Sequence, residues 1–310
     1  MRVKLTDLVG LTKVQDPKEI KDALLKTLEL IGFKPEKHVK TVVIKPNLCY
    51  YWKSSTGYTT DPQLVGGIID VLREMYNKNL DIKIAEADAT AMKTKYAFKM
   101  LDYEKLSKEK DVELFNLSED ILEDKEVQVN NRKIKFKIPQ ILLNADLFIN
   151  VPKLKVMRIT TITCAFKNMF GATGYPRKIK YHPFLNEAIV GINKILRPNL
   201  TIVDGLVALG RFPVKMGLIL ASTDSFSVDW VAAQIMGYNP SRIKFLKIAV
   251  EENLGNPQNI EIVGESIKTF RKEFPRPSRF SKLLWSFQLS MLKLYVKVTG
   301  DLVPSFLEEA

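Results

Sequence analysis

Apolar positions run along this chain in two rhythms. In Thr41–Pro46 (TVVIKP), 81–87 (DIKIAEA), 145–151 and 200–205 (LTIVDG) they form short continuous runs. That is the pattern of strands buried on both faces of a parallel sheet. Between these runs apolar residues recur every three to four positions. Ile20, Leu24, Leu28 and Ile31 form one such stripe behind Asp16-Pro17, and helices are predicted likewise at 63–76, 94–110, 183–196, 224–236 and 240–252. Gly32, Pro198, Gly237 and Gly255 stand at predicted helix ends. Shorter strands are predicted at 112–116, 217–221 and 260–263. From 126 to 138 the period drops to two, with Val127, Val129, Ile134, Phe136 and Ile138 apolar about Asn130-Asn131, an antiparallel hairpin. The expected fold class is α/β: a mostly parallel, doubly wound sheet with a small β-hairpin excursion and a C-terminal helix. Residues 1–270 would form the α/β domain and 271–310 a basic amphipathic tail.

The richest stretch is 149–182, INVPKLKVMRITTITCAFKNMFGATGYPRKIKYH. Pro152 ends the strand Leu147–Val151, because proline cannot donate to a ladder, and Lys153 and Lys155 lie just beyond it. Thr160 or Thr161 would cap a short helix bearing Ile162, Phe166 and Phe170, with Lys167 and Asn168 inside it and Gly171 as its stop. A loop rich in glycine and lysine, 171–180, then leads to His182. Open parallel sheets bind ligands at the carboxyl ends of their strands. Lys45 and Asn47, Glu86 and Asp88, Asn150 with Lys153 and Lys155, and Asp204 all fall at or just past such ends. Two readings meet here. The lysines either gather round an anion or reach out to water around a connection. Polar groups ending four apolar strands on one edge favour the shared site.

Charge sharpens the first reading. The 310 residues carry a formal net charge of +12, which points to acidic partners. Between 271 and 300 there are seven Lys or Arg against one acid, so half the excess lies in the tail. That tail places Leu283, Leu284, Phe287, Met291, Leu292, Leu294, Tyr295 and Val298 among basic residues. Over 280–298 it could lie on an anionic membrane surface or dock on its own domain. Residues 1–10 hold charges and no long apolar run, and no window offers the roughly 18 uncharged apolar residues that span a bilayer. A cytoplasmic protein is expected, membrane-peripheral if the tail docks on lipid. The abundance of lysine and glutamate suits a thermophile.

Specific chemistry is sparser. Cys49 and Cys164 are too few for a zinc finger or an iron–sulfur cluster, which need about four ligands, and read as small buried hydrophobes. The loop 54–61, SSTGYTTD, offers the hydroxyls of Thr59 and Thr60 and backbone N–H groups before a helix, a common anion cradle; Thr60 or Asp61 as a plain helix cap is the alternative. Neither a P-loop nor a dinucleotide glycine fingerprint is present. Glu86 and Asp204 are candidates for Mg²⁺ or another divalent cation. His182 titrates near neutrality and could move a proton, or could simply enter the helix behind Pro183.

Several motifs in order resemble one known family: KPNL (45–48), TT-DP (59–62), NVPKLK (150–155), FKNMFG (166–171), His182, TIVDG (201–205) and the D-x-x-x-x-D of 224–229. The chain resembles the domain of unknown function 362 family over about 41–264. Many members of that family carry a ferredoxin-like module with four-cysteine motifs, so the resemblance implies a link to redox chemistry and an external electron-transfer protein as a partner. This chain has no such module. It also has Val156-Met157 where the family commonly continues with Thr-His. The expected function is an enzyme, or a binder descended from one, acting on an anionic small molecule. Lys45, Asn47, Thr59, Thr60, Lys155 and Asn168 would bind it, and His182, Lys167 and Lys153 would carry the chemistry. The rival classes are a nucleic-acid binder, using Tyr50, Tyr51 and Trp52, and a peripheral membrane protein.

Overall fold

Helices cover both faces of one large sheet. The computed structural model describes residues 6–275 apart from 35, 37, 77–79 and 91, together with Phe287, Ser290, Met291, Leu294 and Val298. Among these residues the strands are β1 (Asp7–Lys13), β2 (Thr41–Pro46), β3 (Asp81–Glu86), β4 (Glu113–Asn116), β5 (Leu122–Val129), β6 (Arg132–Pro139), β7 (Leu147–Val151), β8 (Lys153–Met157), β9 (Thr161–Thr163), β10 (Leu200–Leu209), β11 (Pro213–Ser222) and β12 (Ile260–Gly264). The main sheet runs β12-β1-β11-β10-β7-β2-β3-β4, with β8 beside β10 and β9 beside β8. Strands β10, β7, β2, β3 and β4 are mutually parallel, and β1 is parallel to β12. Only β11, and β9 at the margin, run antiparallel to their neighbours. The α/β class and the mostly parallel sheet are as the apolar runs predict.

Alternation along each strand sorts the core into two halves. Val43, Ala85, Phe148 and Val203 pack with helices Ala165–Gly171, Leu185–Ile195, Ser225–Ile235 and Lys244–Glu251. Val42, Ile44, Ile82, Ile84, Leu147 and Ile149 pack with helices Ile20–Leu30, Pro62–Tyr76, Thr94–Met100 and Tyr103–Lys110 on the other face. The β5–β6 hairpin turns at Asn130-Asn131, with Val129 opposite Arg132 and Asn130 at φ 49°. Its buried Val129, Ile134, Phe136 and Ile138 join the first half of the core.

Four local expectations change. Residues 94–110 form two helices, because Asp102 takes a left-handed conformation (φ 65°) between them. Beyond Pro152 the chain stays extended: β8 pairs with β10 on one side and β9 on the other, so the segment of Lys153 and Lys155 is strand. The glycine-punctuated stretch 204–217, which reads as a loop after the strand 200–205, is the β10–β11 hairpin, with a register shift between Gly205 and Val207. The predicted C-terminal helix over 280–298 lies outside the described residues, save for five positions, all of them helical and exposed.

The fourth change concerns the helix Ala165–Gly171, which Thr160 and Thr161 do not cap. Its first N–H groups are accepted in trans by Asp229 on helix Ser225–Ile235, from Ala165 at 2.6 Å and Phe166 at 3.0 Å. Burial raises the Asp229 carboxyl to about 7, against the pull of these donors. Asp224 at the start of the same helix caps it by accepting from Ser227 N. Replacing Asp229 by alanine would orphan two buried donors, each worth about 1–3 kcal/mol. Urea unfolding of Asp229→Ala should show a lower midpoint and an unchanged slope. An unchanged midpoint would mean that the helix holds its place without this cap.

Candidate functional site

The site grows from the carboxyl end of β2. Lys45 is fully buried there, and its ammonium donates to Glu86 Oε1 at 2.8 Å, Pro46 O at 3.1 Å and Asn168 Oδ1 at 3.3 Å. Glu86, ending the adjacent β3, also accepts from Leu48 N at 3.1 Å and Ala87 N at 3.0 Å. Each partner of this buried ion pair is therefore satisfied on several sides, the condition under which burial of charge is tolerable. Gly171 closes over the pair: a Cβ there would lie 3.3 Å from the Lys45 Nζ. A larger residue at the end of this helix would push into the ion pair, which gives the glycine a packing reason beyond its role as a stop.

Asparagines extend the network sideways. Asn168 on the helix donates to Asn150 Oδ1 at 2.8 Å and accepts from Asn47 Nδ2 at 3.1 Å. Asn47 in turn accepts from Lys155 Nζ at 2.7 Å, and Lys155 donates as well to Tyr58 O at 2.7 Å. One chain of hydrogen bonds thus links β2, β3, β7, β8 and the helix, and orients the cationic heads above it.

Above this floor lies a cavity of about 230 Å³. Lys45, Lys155, Lys167, Lys178, Glu86, Asn47, Cys49 and His182 supply its polar lining. Leu48, Met92, Met157, Ile159, Phe170, Ile179 and Leu185 supply apolar walls. Four amines therefore face one carboxylate. Burial lowers the Lys155 amine from its ordinary value. It brings Lys167 down to about 8, helped by the neighbouring charges of Lys155 and Lys45. It brings Lys178 to about 7, against the pull of Glu86 and Asp88. Lys178 is held by Asp88 O at 2.8 Å.

Of the residues expected at the site, Lys45, Asn47, Glu86, Lys155, Lys167 and His182 line this cavity, and Asn168 braces it from behind. Lys153 and Asp204 lie outside the lining. They bind each other at 2.8 Å with no exposed surface, and Asp204 also accepts from Asp61 N at 2.7 Å and Leu206 N at 3.0 Å. Thr60 latches strand ends together, accepting from Asn47 N at 2.8 Å and donating to Val151 O at 2.9 Å. Thr59 accepts from Cys49 N at 3.4 Å. Both threonine hydroxyls thus serve the backbone, as does Asp61, which accepts from Gln63 N at the start of helix Pro62–Tyr76. Glu86 and Asp204 are each engaged by a lysine, and among the described residues no three His, Cys, Asp or Glu side chains group to hold a metal ion.

Lys178 and Cys49 are the site residues that spacing did not reveal. Lys178 and Lys180 sit two apart in one lysine-rich loop, yet Lys178 is buried in the cavity wall while Lys180 is exposed over the Tyr175 ring. Cys49 does not sit in the core as expected. It is half-buried, lines the cavity and meets Lys155.

The sequence profile described as domain of unknown function (DUF362) matches residues 42–234. The chain belongs to this family. Every lysine of the cavity falls inside the matched span. A curated relative, a thylakoid-associated protein of Synechocystis sp., is 32% identical over 148 residues, which cover 43% of this chain and 44% of that protein. The match therefore spans less than half the relative's length. Two solved structures show a looser likeness. The lactate racemase apoprotein from Thermoanaerobacterium thermosaccharolyticum gives a TM-score of 0.43 at 11% identity, covering 75% of this chain and 58% of that one. A Thermotoga maritima protein gives 0.41 at 12% identity, covering 77% of this chain and 60% of its own. At these scores neither bears on chemistry.

In this family member the Lys153–Asp204 pair is assigned to structure. Lys153→Met would strand a buried carboxylate, at a cost of about 3–5 kcal/mol. Chemical denaturation checks this. A loss below about 1 kcal/mol would show the pair to be open to water.

Proposed function

We propose that the protein is an enzyme, or a binder descended from one, that takes up a small anionic molecule in the cavity at the ends of β2, β3 and β8. One observation carries this reading: four lysines line a half-open, largely apolar space that offers them a single carboxylate. Holding like charges together out of water is unfavourable, and the lowered amines of Lys155, Lys167 and Lys178 express that cost. An anion relieves it. The lining also sets the ligand's shape. Its charged head, a carboxylate or phosphate, faces the lysines, and an apolar part faces Met157, Ile159, Phe170 and Leu185. Amines fixed around developing negative charge in such a space lower a barrier by several kcal/mol. His182 and Lys178 both line the cavity, and in this reading they would exchange a proton with the ligand.

The pH dependence has a definite sign. The anion binds the ammonium forms, so binding raises the amine constants and takes up protons. Affinity is therefore greatest below about 7 and declines as pH rises through the values of about 7 and about 8 held by Lys178 and Lys167. Sulfate is the probe of choice because its own charge is constant over this range. Calorimetry in buffers of different ionisation enthalpy should show proton uptake near pH 8 and weaker binding above it. Lys155→Ala should weaken sulfate by roughly 10- to 100-fold, the loss of one charge-assisted bond of about 1.5–3 kcal/mol. Binding indifferent to pH and to Lys155 would remove the basis of the proposal. RNA binding that falls steeply with salt, yet ignores Lys155→Ala, would favour an extended nucleic-acid surface instead.

The tail supports a second reading, peripheral attachment to an anionic membrane. Phe287, Met291, Leu294 and Val298 are helical and exposed, and their spacing of four, three and four places them on one stripe. The surrounding segment is strongly basic, and the Synechocystis relative is named for its association with thylakoids. No helix among the described residues is long and apolar enough to cross a membrane. Attachment of this kind would be interfacial. The double variant Phe287→Glu, Leu294→Glu should stop sedimentation with phosphatidylglycerol vesicles while sulfate binding persists. Undiminished sedimentation would exclude the stripe as the anchor.

A further inference from the structure

The cavity's amines are not equally engaged. Lys45 is paired with Glu86, Lys155 donates to Asn47 and the Tyr58 carbonyl, and Lys178 donates to the Asp88 carbonyl. Lys167 makes no hydrogen bond and no ion pair with any described residue, although its side chain lines the same space. Its nearest charged neighbours are other lysines, Lys155 and Lys45, with the Cys49 thiol beside them. Burial and the two lysines disfavour the protonated amine there, and of these neighbours Cys49 alone favours it.

We propose that Lys167 is a nucleophile that forms an imine with an anionic carbonyl compound, a 2-oxo acid or a chemically similar oxo anion. The proposal rests on the anion-binding reading and deepens it by naming the substrate class. Lys155 and Lys178 hold the anionic head, which brings the adjacent carbonyl carbon to the free amine. The Lys167 lone pair attacks that carbon, a C–N bond forms, and the carbonyl π electrons move to oxygen, which takes a proton. The nitrogen gives up a proton, the hydroxyl leaves as water after a second protonation, and the nitrogen lone pair closes the C=N bond of a protonated imine, which loses its remaining N–H proton to give the imine. No oxidant, reductant or further reactant is needed. Lys178 in its ammonium form, or His182, stands on the cavity wall to supply the proton.

The lowered amine agrees with this role. At pH 7.5 an amine titrating at about 8 is neutral in roughly a quarter of molecules, against roughly one in a thousand for an ordinary lysine near ~10.4. Desolvation and a neighbouring cation are the two devices that prepare a lysine for imine chemistry, and both act here. Met157, Ile159 and Phe170 put apolar walls beside the amine.

The test is reductive trapping of the wild-type chain. Incubation with pyruvate or glyoxylate and sodium cyanoborohydride, followed by peptide mapping, should label Lys167 at least tenfold faster than an exposed lysine such as Lys105. Sulfate should slow that labelling. Lys167→Arg, which keeps the charge, should lose the label and still bind sulfate by calorimetry. The wild-type result stands on its own if that variant fails to fold. Labelling of Lys167 no faster than Lys105, or labelling centred on Lys178, in protein that binds sulfate would overturn the imine and leave the anion site standing. Failure of both labelling and sulfate binding would overturn both.

Discussion

An ammonium buried at the end of a parallel strand has to be answered from inside the protein, and the Lys45 head group is that constraint here. Its burial is complete, and an unanswered charge at that depth would cost about 3–5 kcal/mol, a large share of a fold's usual margin of stability. Glu86 answers from β3, Asn168 from the following helix, and Pro46 from the strand's own end. Those partners in turn fix how deep the helix sits, why Gly171 must be small, and how Asn47 turns toward Lys155. Lys153 and Asp204 stand in contrast to the cavity's lysines. That pair closes on itself and on the backbone. Lys155, Lys167 and Lys178 find no carboxylate partner, and burial lowers the amine of each.

Much of this arrangement was legible in the residue pattern. Short runs apolar on both faces specify parallel strands, and the rule that ligands meet strand ends assembles Lys45, Asn47, Glu86 and Lys155. The hairpin about Asn130-Asn131 follows from a period of two. What the pattern hides is long-range register. Lys153 and Lys155 lie on the same side of one strand, yet Lys153 falls opposite Asp204 on β10 while Lys155 falls opposite Leu209, beyond the shift in that ladder. One becomes a sealed ion pair and the other reaches the cavity. Lys178 and Lys180 are separated in the same way by how a turn of 3₁₀ helix packs, which spacing alone does not reveal. The cap that Asp229 gives to the helix Ala165–Gly171 joins residues some sixty positions apart, whereas the local pattern points to Thr160 and Thr161.

The cavity divides into a satisfied floor and a less satisfied wall. The floor is rigid because each donor and acceptor in it has a partner, and partly buried polar networks of this kind fix a geometry more than they add stability. The wall keeps positive charge close to an apolar surface. Met157 belongs to that wall, at the position where the resemblance to the family implies histidine. On the proposed anion-binding reading, a ligand would meet a thioether there and take its polar contacts from His182 and the lysines.

The most direct measurement follows the Cε and Nζ signals of Lys167 and Lys178 by NMR as pH is raised, with and without sulfate. The account predicts titration at about 8 and about 7 in the free protein, and movement of both to higher pH when sulfate is present. Titration of both near ~10.4, together with Lys105 and unmoved by sulfate, would contradict the claim that this cavity holds buried amines awaiting an anion.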